Sequence, residues 1–202
     1  MGDDTSAKLQ LYRSDGTAAG TIRLTSPNAR SSGVNPQLLT AVGDTIFFNG
    51  TDVPTKTQLW RSDGTVAGSR KLTGLNIGAN GLSPQSFASM DGKVYFSGDD
   101  GTHGSQLWVS DATPQGTHMV VPLNGTIGVY ASNLTAVGKT LYFTGLNAAK
   151  TYQLWSSDGT PGGTRVLSSF PDGASIVPQH LMPFGNALLF SQSTQLWTYL
   201  PP

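Results

Sequence analysis

The segment Asp99-Asp100-Gly101-Thr102-His103 carries the residue types and spacing that come nearest to chemistry. A carboxylate a few residues from an imidazole can share a proton with it, so Asp99 or Asp100 with His103 would suit a hydrolase. The two adjacent carboxylates would also suit calcium. A solvated loop tip accounts for the same residues without any activity, because loop ends are polar for reasons of solvation alone. His118 and His180 show no i, i+4 pairing with His103, and there is no cysteine to complete a zinc set. No phosphate-binding loop, nucleophile elbow or His-Glu-x-x-His run occurs. The expectation is no catalytic group and no cofactor, with calcium at Asp99 and Asp100 as the alternative.

Three other series stand out because they recur. Asp15, Asp63, Asp111 and Asp158 each follow a serine and precede a threonine by two positions. They read as repeated metal ligands or, more simply, as turn residues whose carboxylates accept backbone N–H bonds. Trp60, Trp108, Trp155 and Trp197 recur as well, and either stack on sugar rings from the surface or pack a buried sheet face. Packing is the expectation. Gln58, Gln106, Gln153 and Gln195 each sit two residues before one of those tryptophans, as equivalent ligand contacts or as structural amides.

The elements that must position these residues follow from the same recurrence. Gln-Leu-aromatic begins at residues 10, 58, 106, 153 and 195, so the first three intervals are 48, 48 and 47 residues. Each of the first four copies runs through a tight turn into a short apolar stretch, which is hairpin grammar. Between them lies a second hairpin: Leu38 to Phe48, Phe87 to Phe96, Leu134 to Phe143 and Leu181 to Phe190. Two hairpins per period of this length make a four-stranded antiparallel blade, so the fold class is an all-β β-propeller. With 25 glycines, 12 prolines and no glutamate, helical solenoids of similar period are excluded. Small residues are expected on each innermost strand, where Ala41, Ala88, Ala136 and Pro183 fall.

One domain is expected over residues 1–202, with units at about 36–73, 84–122, 132–168 and 179–202. The simplest ring has four blades, the last closed by residues 9–25, and leaves Thr194 to Tyr199 as a surplus strand. Five blades, or a ring shared between chains, are the alternatives, and the terminal strands are then a route to a homo-oligomer.

Leu59-Trp60-Arg61-Ser62-Asp63-Gly64-Thr65 and Leu154-Trp155-Ser156-Ser157-Asp158-Gly159-Thr160 resemble the motif of bacterial ELWxxDGT repeat proteins. The resemblance covers essentially the whole chain and implies a repeat architecture on secreted or cell-surface proteins, with no set activity. Gln replaces Glu in every copy, Ala112 replaces the glycine after Asp111, and Tyr12 replaces Trp. The Ser-Asp-x-Thr turn is also similar in kind to the Asp-box hairpins of sialidase-type propellers, which imply structure and not catalysis.

Chain direction sorts the loops. In a four-stranded meander the short stereotyped turns share one rim and the variable loops share the other, where binding usually resides. That second rim gathers Asn80, Asp100, Tyr152 and the starts of the strands bearing Gln58, Gln106, Gln153 and Gln195. These seven residues are the candidate ligand contacts. Lys plus Arg and Asp plus Glu both number 12, so neither nucleic acid nor an anionic membrane is expected as partner. The polar N-terminal residues are neither a signal peptide nor a spanning segment. The reading is a non-enzymatic, multivalent module for glycan or protein ligands, lectin-like or adhesive. A structural propeller and a hydrolase using Asp99 or Asp100 with His103 are its rivals.

Overall fold

The computed structural model of the chain describes residues 9–25, 33–53, 56–73, 81–124, 126–167 and 177–201. Every regular element among them is a β-strand. A two-stranded hairpin comes first, β1 (Tyr12–Arg13) with β2 (Ile22–Arg23). The next sheet is a meander of β3 (Gln37–Val42), β4 (Thr45–Val53), β5 (Lys56–Ser62) and β6 (Arg70–Lys71). The pattern repeats in β7 (Gln85–Met90), β8 (Lys93–Asp99), β9 (Ser105–Ser110) and β10 (His118–Met119). It repeats again in β11 (Ser132–Val137), β12 (Thr140–Leu146), β13 (Tyr152–Ser157) and β14 (Arg165–Val166). The last sheet has β15 (Gln179–Phe184), β16 (Ala187–Gln192) and β17 (Gln195–Tyr199).

The second strands β4, β8 and β12 are apolar on both faces because both faces are covered. Phe47 joins Leu59 and Leu72 against Leu82, Val94, Phe96 and Trp108 of the following sheet. Phe48 points the other way, with Trp60, onto Leu11 and Leu24 of the β1–β2 hairpin. Alternation along the strand thus feeds two separate cores, each lying between successive sheets. The same arrangement joins Tyr95 and Leu107 to Leu141, Phe143 and Trp155, and Tyr142 and Leu154 to Leu188 and Phe190. The innermost strands pack in series, β3 on β7, β7 on β11 and β11 on β15.

Two sequence expectations are corrected by the register. Ala41, Ala136 and Pro183 do occupy one position, facing Ile46, Leu141 and Leu188, but its occupant in the second sheet is Ser89, facing Val94. Ala88 lies one residue earlier, facing Tyr95, and its methyl turns to the opposite side. Nor do residues 9–25 complete the last sheet. β17 pairs with β16 from Leu188↔Tyr199 to Gln192↔Gln195, after a turn of only Ser193 and Thr194. Phe190 meets Trp197 there as Phe48 meets Trp60, so the nearest copy in sequence takes the edge and β1–β2 stays a separate sheet.

Each innermost strand carries a bulge. Register breaks fall between Gln37 and Thr40, Gln85 and Ala88, Ser132 and Thr135, and Gln179 and Met182. The residue after the first of each pair has left-handed φ: Leu38 at 55°, Ser86 at 52°, Asn133 at 53° and His180 at 52°. A bulge adds a residue and re-aims its side chain, here at the rim where the variable loops lie.

The opposite rim is built from four copies of one polar turn. Oδ1 of Asp15, Asp63, Asp111 and Asp158 accepts the N–H of the threonine two residues on, at 2.9–3.0 Å, and that threonine's hydroxyl, at 2.7–2.8 Å. The threonine hydroxyl in turn accepts the N–H of Gly20, Gly68, Gly116 or Gly163. At Asp15 the amide of Thr17, followed by its hydroxyl, holds the carboxyl below its usual range. At Asp63, Asp111 and Asp158 the hydroxyl of Thr65, Thr113 and Thr160 is the larger cause, ahead of the amide.

The residue after the aspartate has positive φ in all four turns: Gly16 at 91°, Gly64 at 81°, Gly159 at 88° and Ala112 at 72°. Alanine in this region is strained by about 1–2 kcal/mol, against a glycine entropy cost of about 0.5–1 kcal/mol. Ala112→Gly is therefore expected to stabilise the protein by about 0.5–1 kcal/mol in urea denaturation. A loss of stability would mean that the Ala112 methyl, which packs against the Phe47–Leu59 cluster, outweighs the relief of strain.

Candidate functional site

Two clefts open between successive sheets on the variable-loop rim. The smaller, about 230 Å³, is lined by Asn35, Gln37, Asn49, Thr51 and Thr57 on one side and Ser83, Pro84 and Gln85 on the other. The larger, about 440 Å³, is lined by Ser132, Asn133, Thr144 and Tyr152 facing Val177, Gln179 and His180. They are the same place in two repeats. Gln37 faces Asn49 as Ser132 faces Thr144, and Thr51 faces Thr57 as Leu146 faces Tyr152. Gln85 and Gln179 both open the inner strand of the following sheet.

The clefts exist because each second strand is tied to the approach of the next sheet by a single polar contact. Asn49 Nδ2 donates to the Pro84 carbonyl at 3.2 Å, and Thr144 Oγ1 donates to the Pro178 carbonyl at 2.6 Å. Proline brings a carbonyl and no N–H, so these residues accept the tie without requiring a second partner. Above the tie the walls remain amide and hydroxyl: Thr51 and Thr57 share a hydrogen bond at 3.0 Å, and His180 Nδ1 meets Ser191 Oγ at 2.9 Å. Asn133 and His180 reach the larger cleft from the two inner-strand bulges. Neither lining contains Asp, Glu, Lys or Arg. Such walls suit a neutral ligand with many hydroxyls or amides, and Tyr152, 37% exposed, adds an aromatic surface to the larger one.

The residues singled out from the sequence are distributed around these clefts and beneath them. Tyr152 lines the larger cleft. Gln58 and Gln106 are buried under the rim at 2% and 0% exposure, with their amides engaged inside their own sheets. Gln58 Oε1 accepts from Thr73 Oγ1 at 2.8 Å. Gln106 donates to the carbonyls of His103 and Leu123 at 2.7 and 2.8 Å and accepts from Leu123 N–H at 3.0 Å. Each glutamine therefore brackets the start of a third strand to the chain beyond the fourth. Gln153 is half-buried and donates to Thr151 Oγ1 at 3.5 Å, and Gln195 is exposed. Asn80 lies outside the described residues.

Asp100 and His103 do meet, Oδ2 to Nδ1 at 2.7 Å, while Oδ1 of Asp100 accepts the N–H groups of Thr102 and His103 at 2.9 and 2.8 Å. Burial raises the Asp100 carboxyl, but the hydrogen bonds from His103 and Thr102 together hold it below its usual range. Asp99 Oδ1 accepts from Gly101 N–H at 2.7 Å. Both carboxylates thus serve the closure of their own loop. Among the described residues no three His, Asp or Glu side chains group as a metal site.

Gln37, Gln85, Gln179, Asn49, Thr144 and the bulge residues Asn133 and His180 escaped the sequence reading. A signal was present: Gln37, Gln85 and Gln179 open the first strand of three units, each just after a proline or within one residue of it (Pro36, Pro84, Pro178). That series is weaker than the tryptophan-bearing one, because proline followed by a polar residue also marks ordinary loops.

No protein-family model matches the chain, and no curated protein matches it. Solved structures define its class. The chain is similar to puromycin hydrolase, with a TM-score of 0.55 and 14% identity over 92% of this chain and 30% of that one. It is similar to TolB from Acinetobacter baumannii, with a TM-score of 0.50 and 16% identity over 94% of this chain and 50% of that one. It is also similar to a catalytically inactive virginiamycin B lyase from Staphylococcus aureus solved with quinupristin, with a TM-score of 0.53 and 18% identity. That match covers 90% of this chain and 60% of the lyase. The chain thus spans from 30% to 60% of the length of these three proteins. The fold is all-β and of β-propeller type.

Proposed function

We propose that the chain is a non-enzymatic, multivalent binding module that takes neutral polyhydroxylated ligands, glycans first, in the clefts between successive blades. The observation that supports this reading is the repetition of one cleft in two units, with amide and hydroxyl walls and no formal charge. A catalytic site is unique within a domain, whereas a site built by a repeat recurs with it. The scaffold in this reading has four blades per chain, begun by β3, β7, β11 and β15. A secreted or cell-surface setting fits a weak binder that gains strength from several contacts on one surface. The hydrolase and lyase named above are larger proteins, and their activities are not part of this proposal.

A glycan panel followed by calorimetry on a hit tests the reading. More than one ligand per chain is expected, with weak binding of a free sugar and strong binding to an immobilised one. Tyr152→Ala is expected to weaken the larger cleft about tenfold, the equivalent of roughly 1.4 kcal/mol, and leave the smaller unchanged. A folded sample that binds nothing on a broad panel, or one whose binding traces wholly to the 99–105 loop, would sink the proposal.

A further inference from the structure

Inside the repeat, the face that each sheet turns to its successor is buried. Met90 and Val137, at the ends of β7 and β11, are 4% and 6% exposed, and Ala88 is 8% exposed. Phe184 ends β15 in the same register, facing Ala187 as Met90 faces Lys93 and Val137 faces Thr140. Met182 faces Leu189 as Ala88 faces Tyr95. Yet Phe184 is 67% and Met182 51% exposed. At the other end Leu39, the counterpart of Leu134 at 8%, is 54% exposed. The outer part of that same face is already occupied by Leu11 and Leu24 from β1–β2.

We propose that these are the two halves of one interface, and that a second copy of this chain joins head to tail, its first four-stranded sheet covering the face of β15 and β16. The repeat specifies the occupant. Within the chain, Met90 and Ala88 share one buried cluster with Leu134, Leu141, Phe143 and Trp155. Their counterparts in the first sheet are Leu39, Ile46, Phe48 and Trp60, the last two already packed under β1–β2 and Leu39 left exposed. Leu11 and Leu196 repeat a single position, so the junction seats one third strand only. β17 yields the edge of β16 to the incoming β1–β2 hairpin, which keeps its packing on its own first sheet and brings the fourth strand that β17 lacks. Leu196 is 73% exposed where Leu59, Leu107 and Leu154 are 0%, as a placeholder strand would be. The contact is heterologous, and two copies close it into a ring.

Sedimentation velocity over a dilution series reads the outcome, with a species of twice the 21.2 kDa chain mass expected for the full chain. Phe184→Asp and Leu39→Asp each place a charge on an exposed residue and are expected to leave the fold intact by circular dichroism while shifting the mass to one chain. Met182→Asp repeats the first arm on the same face. Mixing Phe184→Asp chains with Leu39→Asp chains should restore a two-chain species, because each variant keeps the end that the other has lost. A full chain that stays monomeric, by closing on itself or otherwise, overturns the proposal. So do variants that remain associated, and so does a mixture that fails to recover, which would indicate two like faces meeting. Binding of glycan in the clefts is read separately and neither outcome here decides it.

Discussion

Trp108→Ala is expected to destabilise the protein by about 3–5 kcal/mol, the range for deleting a large buried aromatic side chain. Trp108 is 8% exposed, and its ring stacks on Phe96 at a centroid distance of 6.4 Å and an angle of 23°. Its Nε1 donates to the Gly98 carbonyl at 3.0 Å, so alanine also strands a buried acceptor. The side chain lies in the core shared by the first and second four-stranded sheets, where a cavity weakens both. Trp155 repeats every feature, stacking on Phe143 at 5.9 Å and donating to Gly145 at 3.0 Å. Urea denaturation of Trp108→Ala and Trp155→Ala should give similar losses, with Trp108→Phe costing much less. A loss below about 1 kcal/mol at both sites would mean that the rings are surface features.

The propeller-type fold was legible because hairpin spacing and apolar second strands are local properties that repeat four times. Two residues before each tryptophan the sequence shows a glutamine, and here the reading reached its limit. A buried amide and a ligand-binding amide look alike until the partner appears, and the partners Thr73 and Leu123 lie 15 and 17 residues away across a sheet. The clefts depend on contacts further apart still: Asn49 to Pro84, Thr144 to Pro178. The inner-strand bulges hid for a different reason. Leu38, Ser86, Asn133 and His180 have left-handed φ without being glycine, and although Asn and His favour that region, Leu and Ser at the equivalent positions do not, so the series does not announce the bend. Ala88 stands one residue off for another reason: all four copies carry the same bulge, and the second copy has its alanine one position before Ser89, the residue that faces Val94. The ends of the array failed because two copies of one strand, at Leu11 and Leu196, compete for one edge, and repetition alone cannot rank them.

Gly163→Ala is expected to damage the Asp158 turn by driving a methyl into the carboxylate that closes it. A Cβ at Gly163 would overlap Asp158 Oδ1, and a Cβ at Gly20, Gly68 or Gly116 would overlap the carboxylate of its own turn in the same way. The carboxylate cannot swing away cheaply. Its Oδ1 accepts from both the N–H and the hydroxyl of Thr160, at 2.9 and 2.7 Å, and Thr160 Oγ1 accepts from Gly163 N–H itself at 3.0 Å. Relieving the clash therefore breaks the chain of hydrogen bonds that closes the turn, and the overpacking cost of about 1–3 kcal/mol comes in addition to the bonds lost. Because the turn links β13 to β14, the loss should appear as a lower urea midpoint with an unchanged slope. The cause can be separated from helix or strand propensity by a double-mutant cycle. Asp158→Ala removes the group that the new methyl would strike, so the pair Asp158→Ala with Gly163→Ala should cost clearly less than the sum of the two singles. Strict additivity would show that the glycine is required for some reason other than the carboxylate packed against its α-carbon.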